Sequence, residues 1–313
     1  MLESFFPKPK IFFTSFALYA GSFILFWYTI GDGVAKYLGF ELPAADAPKV
    51  IGLGFFITPD FLWFYLIYGV ATLFFWLFWT RYSPHKWQSW SILGTALIIF
   101  VTYYMVQVTV AINYWYRPFY DLLQNALAGQ EGITEVDFYR SALVFFSIAT
   151  VYIVVATANS FFVSHYVFRW RMAMNEYYTS MWDRVRHIEG ASQRIQEDTM
   201  RFADITESLG VRIVDSIMTL FAFLPILYGL SVHVERLPIV GEIPAPLVLA
   251  ALFWALVGTA ALMIAGVKLP GLYFRNQRVE AAYRKELVMG EDDGERARPL
   301  TLVELFTAVR KNY

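Results

Sequence analysis

The chain of 313 residues contains no cysteine. Disulfides, thiolate nucleophiles, iron–sulfur clusters and cysteine-type zinc sites are therefore excluded. Histidine is scarce: His85, His165, His187 and His233 stand at separate boundaries, and none has a second histidine three or four residues on. That scatter leaves no HExxH motif and no paired ligands for a metal or a haem. Charge is scarce too, at 16%, against about 25% in ordinary soluble domains. A net charge of −1 gives no basic surface to follow a phosphate backbone, so nucleic acid is not an expected partner. No GxxxxGK[ST] loop occurs; Gly266-Val267-Lys268-Leu269 is its nearest echo, without the first glycine or the hydroxyl. No Ser/His/Asp arrangement stands out. Nucleotide hydrolysis by this chain, enzymatic catalysis and a cofactor are accordingly not expected.

Apolar and aromatic residues are abundant instead, at 58% and 19%. They gather in long runs at 11–30, 61–80, 87–116, 141–164, 211–232 and 243–267. Each is near the ~20 residues that a helix needs to cross ~30 Å of hydrocarbon. Only the fifth run carries ionisable groups, Arg212 and Asp215 near its start. The expected fold class is an all-α integral membrane protein, a polytopic helical bundle in one transmembrane domain. Its spans are placed at about 11–30, 61–80, 90–112, 141–164, 211–232 and 245–267. The first run is bulky throughout and no small-x-small pattern closes it, so it reads as an uncleaved span and not as a signal peptide.

Basic residues set the orientation. Lys8 and Lys10, Arg81 and Lys86, the six arginines 169, 171, 184, 186, 194 and 201, and a tail beginning Lys268, Arg275, Arg278 all fall on one side. The intervening connections carry fewer: Lys36 and Lys49, Arg117 and Arg140, then Arg236. Both termini are thus expected in the cytoplasm. The outer connections, at 31–59, 118–137 and 235–246, are rich in Gly, Pro and Asp and read as turns and surface loops.

Two cytoplasmic segments read as long helical extensions. From 165 to 210 there is no proline, and charged and apolar residues alternate at helical spacing, with a short joining element near Glu189 to Ser192. In the second limb, at 100° per residue, Ile195, Phe202, Ile205, Leu209 and Ile213 share an arc of about 80°. Glu197, Asp204 and Asp215 fall on one line opposite, and Glu207 stands about 80° to the side. Two readings of Glu207 and Asp215 stay open. One is an interfacial, ion-paired face with Arg212; the other is a carboxylate lining an aqueous vestibule that binds or relays protons. After Pro270-Gly271 a second charged helical run, 275–288, forms a cytoplasmic tail over 268–313 with an amphipathic segment near its end.

Several blocks resemble the SbmA/BacA family of bacterial inner-membrane peptide importers. They include Ser4-Phe5-Phe6-Pro7-Lys8-Pro9, Tyr82-Ser83-Pro84-His85-Lys86-Trp87, Ser91-Ile92-Leu93-Gly94-Thr95-Ala96 and Pro118-Phe119-Tyr120-Asp121-Leu122. The runs 162–171 (FVSHYVFRWR), 194–203 (RIQEDTMRFA) and 277–287 (QRVEAAYRKEL) carry it further. The similarity covers nearly the whole chain and is weakest in the first inter-span loop. It implies a homodimer whose membrane fold is like that of ABC exporters without a nucleotide-binding domain. It also implies import driven by the proton gradient of proline-rich antimicrobial peptides, microcins and bleomycin-type glycopeptides, with a rhizobial branch tied to very-long-chain fatty acids. The acidic residues that the family uses for proton binding and gating carry over as Glu197, Glu207, Glu280 and Glu291, with Arg194 and Tyr120 at matching positions. An alternative for Glu197 and Arg194 is a structural pair that holds the helical elbow. Gln107 stands where a close relative has a carboxylate, and the family's last pair of spans is expected to be missing after Tyr313. The competing function is the membrane subunit of an ATP-driven transporter, with the ATPase on another stretch of chain.

Overall fold

The computed structural model describes residues 1–44, 47–186, 194–232, 234 and 243–312. The joining element read near Glu189 to Ser192 lies outside these residues. The described residues contain α-helices, short 3-10 and π turns, and no strand. In chain order the helices are α1 (Pro9–Thr29), α2 (Gly31–Tyr37), α3 (Pro59–Tyr82), α4 (Thr95–Leu127) and α5 (Glu135–Ser180). They continue with α6 (Trp182–Val185), α7 (Thr199–Ser231), α8 (Pro246–Gly266), α9 (Leu269–Asp292) and α10 (Pro299–Asn312). Among the described residues, six helices are long and apolar enough to cross a membrane. Their apolar side chains face outward to an extent that a water-soluble bundle does not tolerate: in α8 only Pro246 is buried. Trp254 is 69% exposed and Ile264 78%. The protein is an all-α, polytopic membrane protein, with its apolar exterior available to lipid.

Two compact units divide the chain, residues 1–223 and 224–313. In the first, helix starts are marked by local chemistry. Pro9 and Pro59 occupy first-turn positions whose amides need no intrahelical acceptor. Thr134 and Asp137 close a capping box at the start of α5. At 1.5 Å per residue the 46 residues of α5 extend about 69 Å, over twice the hydrocarbon thickness, so the helix projects well beyond the bilayer.

Two segments read as loops from sequence are helical. Residues 31–37 form α2, and Leu53–Ile57 make a 3-10 turn. More informative is α4, which runs through Pro118 to Leu127. Proline removes one helical hydrogen bond and favours a break. Here Trp115 offsets it: its ring stacks on Phe119 at 4.6 Å and meets Phe145 of α5 at 4.9 Å. Its indole Nε1 donates to the Ser141 carbonyl at 3.0 Å. Packing against α5 carries the helix across the proline.

An aromatic core joins the N-terminal strap, residues 1–8, to three helices. Phe5 and Phe6 from the strap, Phe12 of α1, Phe75 and Trp79 of α3, and Tyr166, Trp170 and Met174 of α5 are all buried in it. Phe5 stacks on Trp170 at 5.3 Å with 14° between planes, and Phe6 meets the same indole edge-on at 5.5 Å. The strap also sits beside His85. Burial holds the His85 imidazole below its ordinary value of 6.5, with a backbone contact to Glu3 acting in the opposite sense. Its Nδ1 accepts from the Trp87 amide at 3.3 Å, a bond that a protonated ring cannot make. The neutral ring is therefore the native form. The stability it contributes is present above the unfolded imidazole value and is lost as pH falls below it. Strap amides are expected to lose hydrogen-exchange protection, after correction for intrinsic rates, between about pH 7 and pH 5. The loss should vanish in His85→Gln; protection unchanged across that range would show that His85 does not hold the strap.

In the second unit α10 folds back along α9. Tyr283 meets Phe306 at 5.7 Å, Glu286 pairs with Arg296 at 3.7 Å, and the Ala297 amide donates to Glu286 at 3.2 Å. The reversal needs glycine at 290: a Cβ there would lie 2.2 Å from that of Ala297.

Candidate functional site

A cavity of about 220 Å³ lies inside the first unit. Five elements build its wall. Helix α4 contributes Thr95, Ile98, Ile99 and Thr102, the spacing of one helical face. Helix α5 contributes Tyr166 and Trp170, one turn apart, and α7 contributes Thr206, Glu207, Gly210, Val211 and Val214. Leu2 and Phe6 of the strap, with Phe13 of α1, complete it. Glu207 is the one carboxylate among these lining residues, in a wall that is otherwise apolar or hydroxylic. The space is large enough for several water molecules, and the buried indole N–H of Trp170 has no protein acceptor.

A hydrogen-bonded chain stands beside the carboxylate. The Tyr166 hydroxyl and Thr95 Oγ1 are 2.7 Å apart, and Thr95 donates to the Ser91 carbonyl at 2.7 Å. Ser91 belongs to a π turn, Trp90–Gly94, that leads into α4; such turns recur at functional sites. The turn is braced from α5 by Arg169, whose guanidinium lies 4.2 Å from the Trp90 ring centre. The Tyr166 ring packs against Gly94, where an added Cβ would be 2.9 Å from Cδ2 and 3.0 Å from Cε2. Gly94→Ala is expected to cost about 1–3 kcal/mol through overpacking, despite alanine's better helix propensity. Thermal unfolding in detergent measures it, and an unchanged or raised midpoint would mean that the ring is free to yield.

The other expected site residues are dispersed. Glu197 is half-buried and pairs with Arg201, one turn along, at 2.6 Å; the Arg194 side chain lies outside the described residues. Asp215 is exposed on α7. Gln107 is half-buried in α4. Tyr120 is exposed and stacks on Tyr116 at 6.0 Å; it stands about 27 Å along α4 from Thr102 at 1.5 Å per residue. Glu280 and Glu291 are exposed on α9, in the second unit. Their separation of eleven residues leaves them within about 20° on one helical face. Sequence reasoning reached Glu207 but not Tyr166, Thr95, Thr206 or Gly210. Tyr166 and Trp170 did lie within the 162–171 run, and their i, i+4 spacing was a usable signal. The meeting of Tyr166 with Thr95, 71 positions apart, carries no local signal.

Known proteins place this architecture. An uncharacterized ABC transporter ATP-binding protein of Haemophilus influenzae is 25% identical over 256 residues, which cover 76% of this chain and 42% of that protein. A similarly named protein of Synechocystis is 24% identical over 223 residues, covering 67% and 30%. The chain thus spans less than half the length of either relative. The sequence profile of the SbmA/BacA-like family matches residues 84–313, which contain the cavity-lining parts of α4, α5 and α7. The chain belongs to the SbmA/BacA-like family, a family of membrane transporters.

Proposed function

We propose that this chain forms the membrane part of a proton-motive-force-driven importer of peptides at the bacterial inner membrane, acting as a homodimer with both termini in the cytoplasm. The supporting observation is Glu207, a carboxylate at the wall of an otherwise apolar cavity among α4, α5 and α7. A carboxylate in such a wall is costly when charged, and protonation removes that cost. A proton gradient can therefore bias two arrangements of the helices around it. Glu280 and Glu291 take the companion role on the exposed face of α9, and Glu197 with Arg201 stabilises the base of α7. The proposed cargo class is antimicrobial peptides, microcins and bleomycin-like glycopeptides, and the family resemblance supports it.

A second reading is favoured by one finding: the two relatives are named as ABC transporter ATP-binding proteins. In it the chain is the membrane domain of an ATP-driven transporter. The two readings separate in cells expressing the full-length protein. Uptake of a labelled proline-rich peptide should stop on adding a protonophore at unchanged ATP. Uptake that survives the protonophore and stops on ATP depletion would replace the first reading with the second.

A further inference from the structure

The hydroxyl chain beside Glu207 has a direction. A hydroxyl holds one proton, and a carbonyl only accepts. Thr95 donates to the Ser91 carbonyl, so it must accept from Tyr166, 2.7 Å away. Tyr166 thereby gives its proton to Thr95 and keeps only lone pairs for its other neighbours. An oxygen so engaged suits a neutral carboxylic acid, which donates, and opposes a carboxylate, which accepts. Tyr166 and Glu207 line the same cavity, with no hydrogen bond between them among the described residues. Among the described residues they are also the only ionisable groups in its lining: α4, α1 and the strap contribute none there. Asp204, one turn back on Glu207's own helix, is exposed and acts on it through its charge. Gly94 fixes the phenol ring and leaves the hydroxyl rotor as the free coordinate.

We propose that Tyr166 is a positioning residue that transmits the protonation state of Glu207 to α4. With Glu207 neutral, the phenol accepts from the acid and donates to Thr95. With Glu207 ionised, the phenol proton turns to the carboxylate and Thr95 is released. Protonation on α7 is thereby converted into a bond between α5 and the π turn that begins α4. This inference rests on the proton-coupled reading of Glu207.

The test uses the full-length protein. Thr95→Val removes the competing acceptor at nearly constant volume and leaves the phenol free to donate to the carboxylate. The pH midpoint of peptide uptake should fall by about one unit, the size of one charge-assisted hydrogen bond. Thr95→Ser should keep the wild-type profile, and in a Tyr166→Phe background Thr95→Val should add nothing. A readout independent of transport is the carboxylic C=O band in pH-difference infrared spectra. The band should be absent in Glu207→Gln and move to higher frequency in Tyr166→Phe. An unmoved midpoint in Thr95→Val, an equal shift in the Tyr166→Phe background, or an unchanged band in Tyr166→Phe would each overturn the proposal. If Thr95→Val does not assemble, the infrared measurement decides alone. Wild-type pH dependence in Glu207→Gln would instead overturn the proton-coupled reading, a distinguishable failure.

Discussion

Glu207→Gln is expected to abolish proton-driven uptake of labelled peptide, a loss of tenfold or more, while the protein still assembles in the membrane. Glutamine conserves the volume and hydrogen-bonding reach of the side chain and removes its proton chemistry alone. The cavity wall should therefore stay intact, since its other residues are apolar or hydroxylic and need no ionic partner there. Glu280→Gln should act in the same direction from the exposed face of α9. Glu197→Gln should act less, because Glu197 already has a cation in Arg201 and such i, i+4 pairs contribute only about 0.5 kcal/mol. Uptake in Glu207→Gln that remains normal and protonophore-sensitive would remove this carboxylate from the coupling.

Trp170→Ala should produce the largest loss of stability. The indole is buried among Phe5 and Phe6 of the strap, Tyr166 of its own helix and Phe202 of α7, with ring centres 5.3 to 6.3 Å away. Truncating a buried tryptophan costs about 3–5 kcal/mol, and losing aromatic pairs adds to it. The unfolding midpoint in detergent should fall steeply, and strap residues should become accessible to protease first. Trp170→Phe keeps the stacking and should cost much less. Equal midpoints for Trp170→Ala and wild type would mean that the strap is docked by other contacts.

The six spans were legible because charge-free runs of their length have few other physical explanations. What the sequence did not disclose is which face of each helix meets a neighbour. Of the apolar arc Ile195, Phe202, Ile205, Leu209 and Ile213, Phe202 packs on Trp170, yet Ile205, Leu209 and Ile213 are 50–61% exposed. The face that meets the rest of the unit is Ala203, Thr206, Glu207, Gly210 and Val211. In water, the apolar arc marks the buried side. Next to lipid that inference reverses, because small residues permit close helix approach while bulky apolar ones are content in hydrocarbon. The same reversal explains why Glu207, set about 80° off the line of Glu197 and Asp215, reaches a cavity that Asp215 does not. Pro118 misled for a different reason: its cost to the helix is local, and the compensation, Trp115 of α4 bonding Ser141 and packing on Phe145 of α5, depends on distant sequence.

The most direct measurement is uptake of a fluorescent proline-rich peptide into proteoliposomes that hold the full-length protein, with an acid-outside gradient and no ATP. Uptake should follow the imposed gradient, vanish when a protonophore collapses it, and be missing from Glu207→Gln vesicles. Accumulation that ignores the gradient and appears only when nucleotide is supplied would contradict a proton-driven mechanism at this cavity.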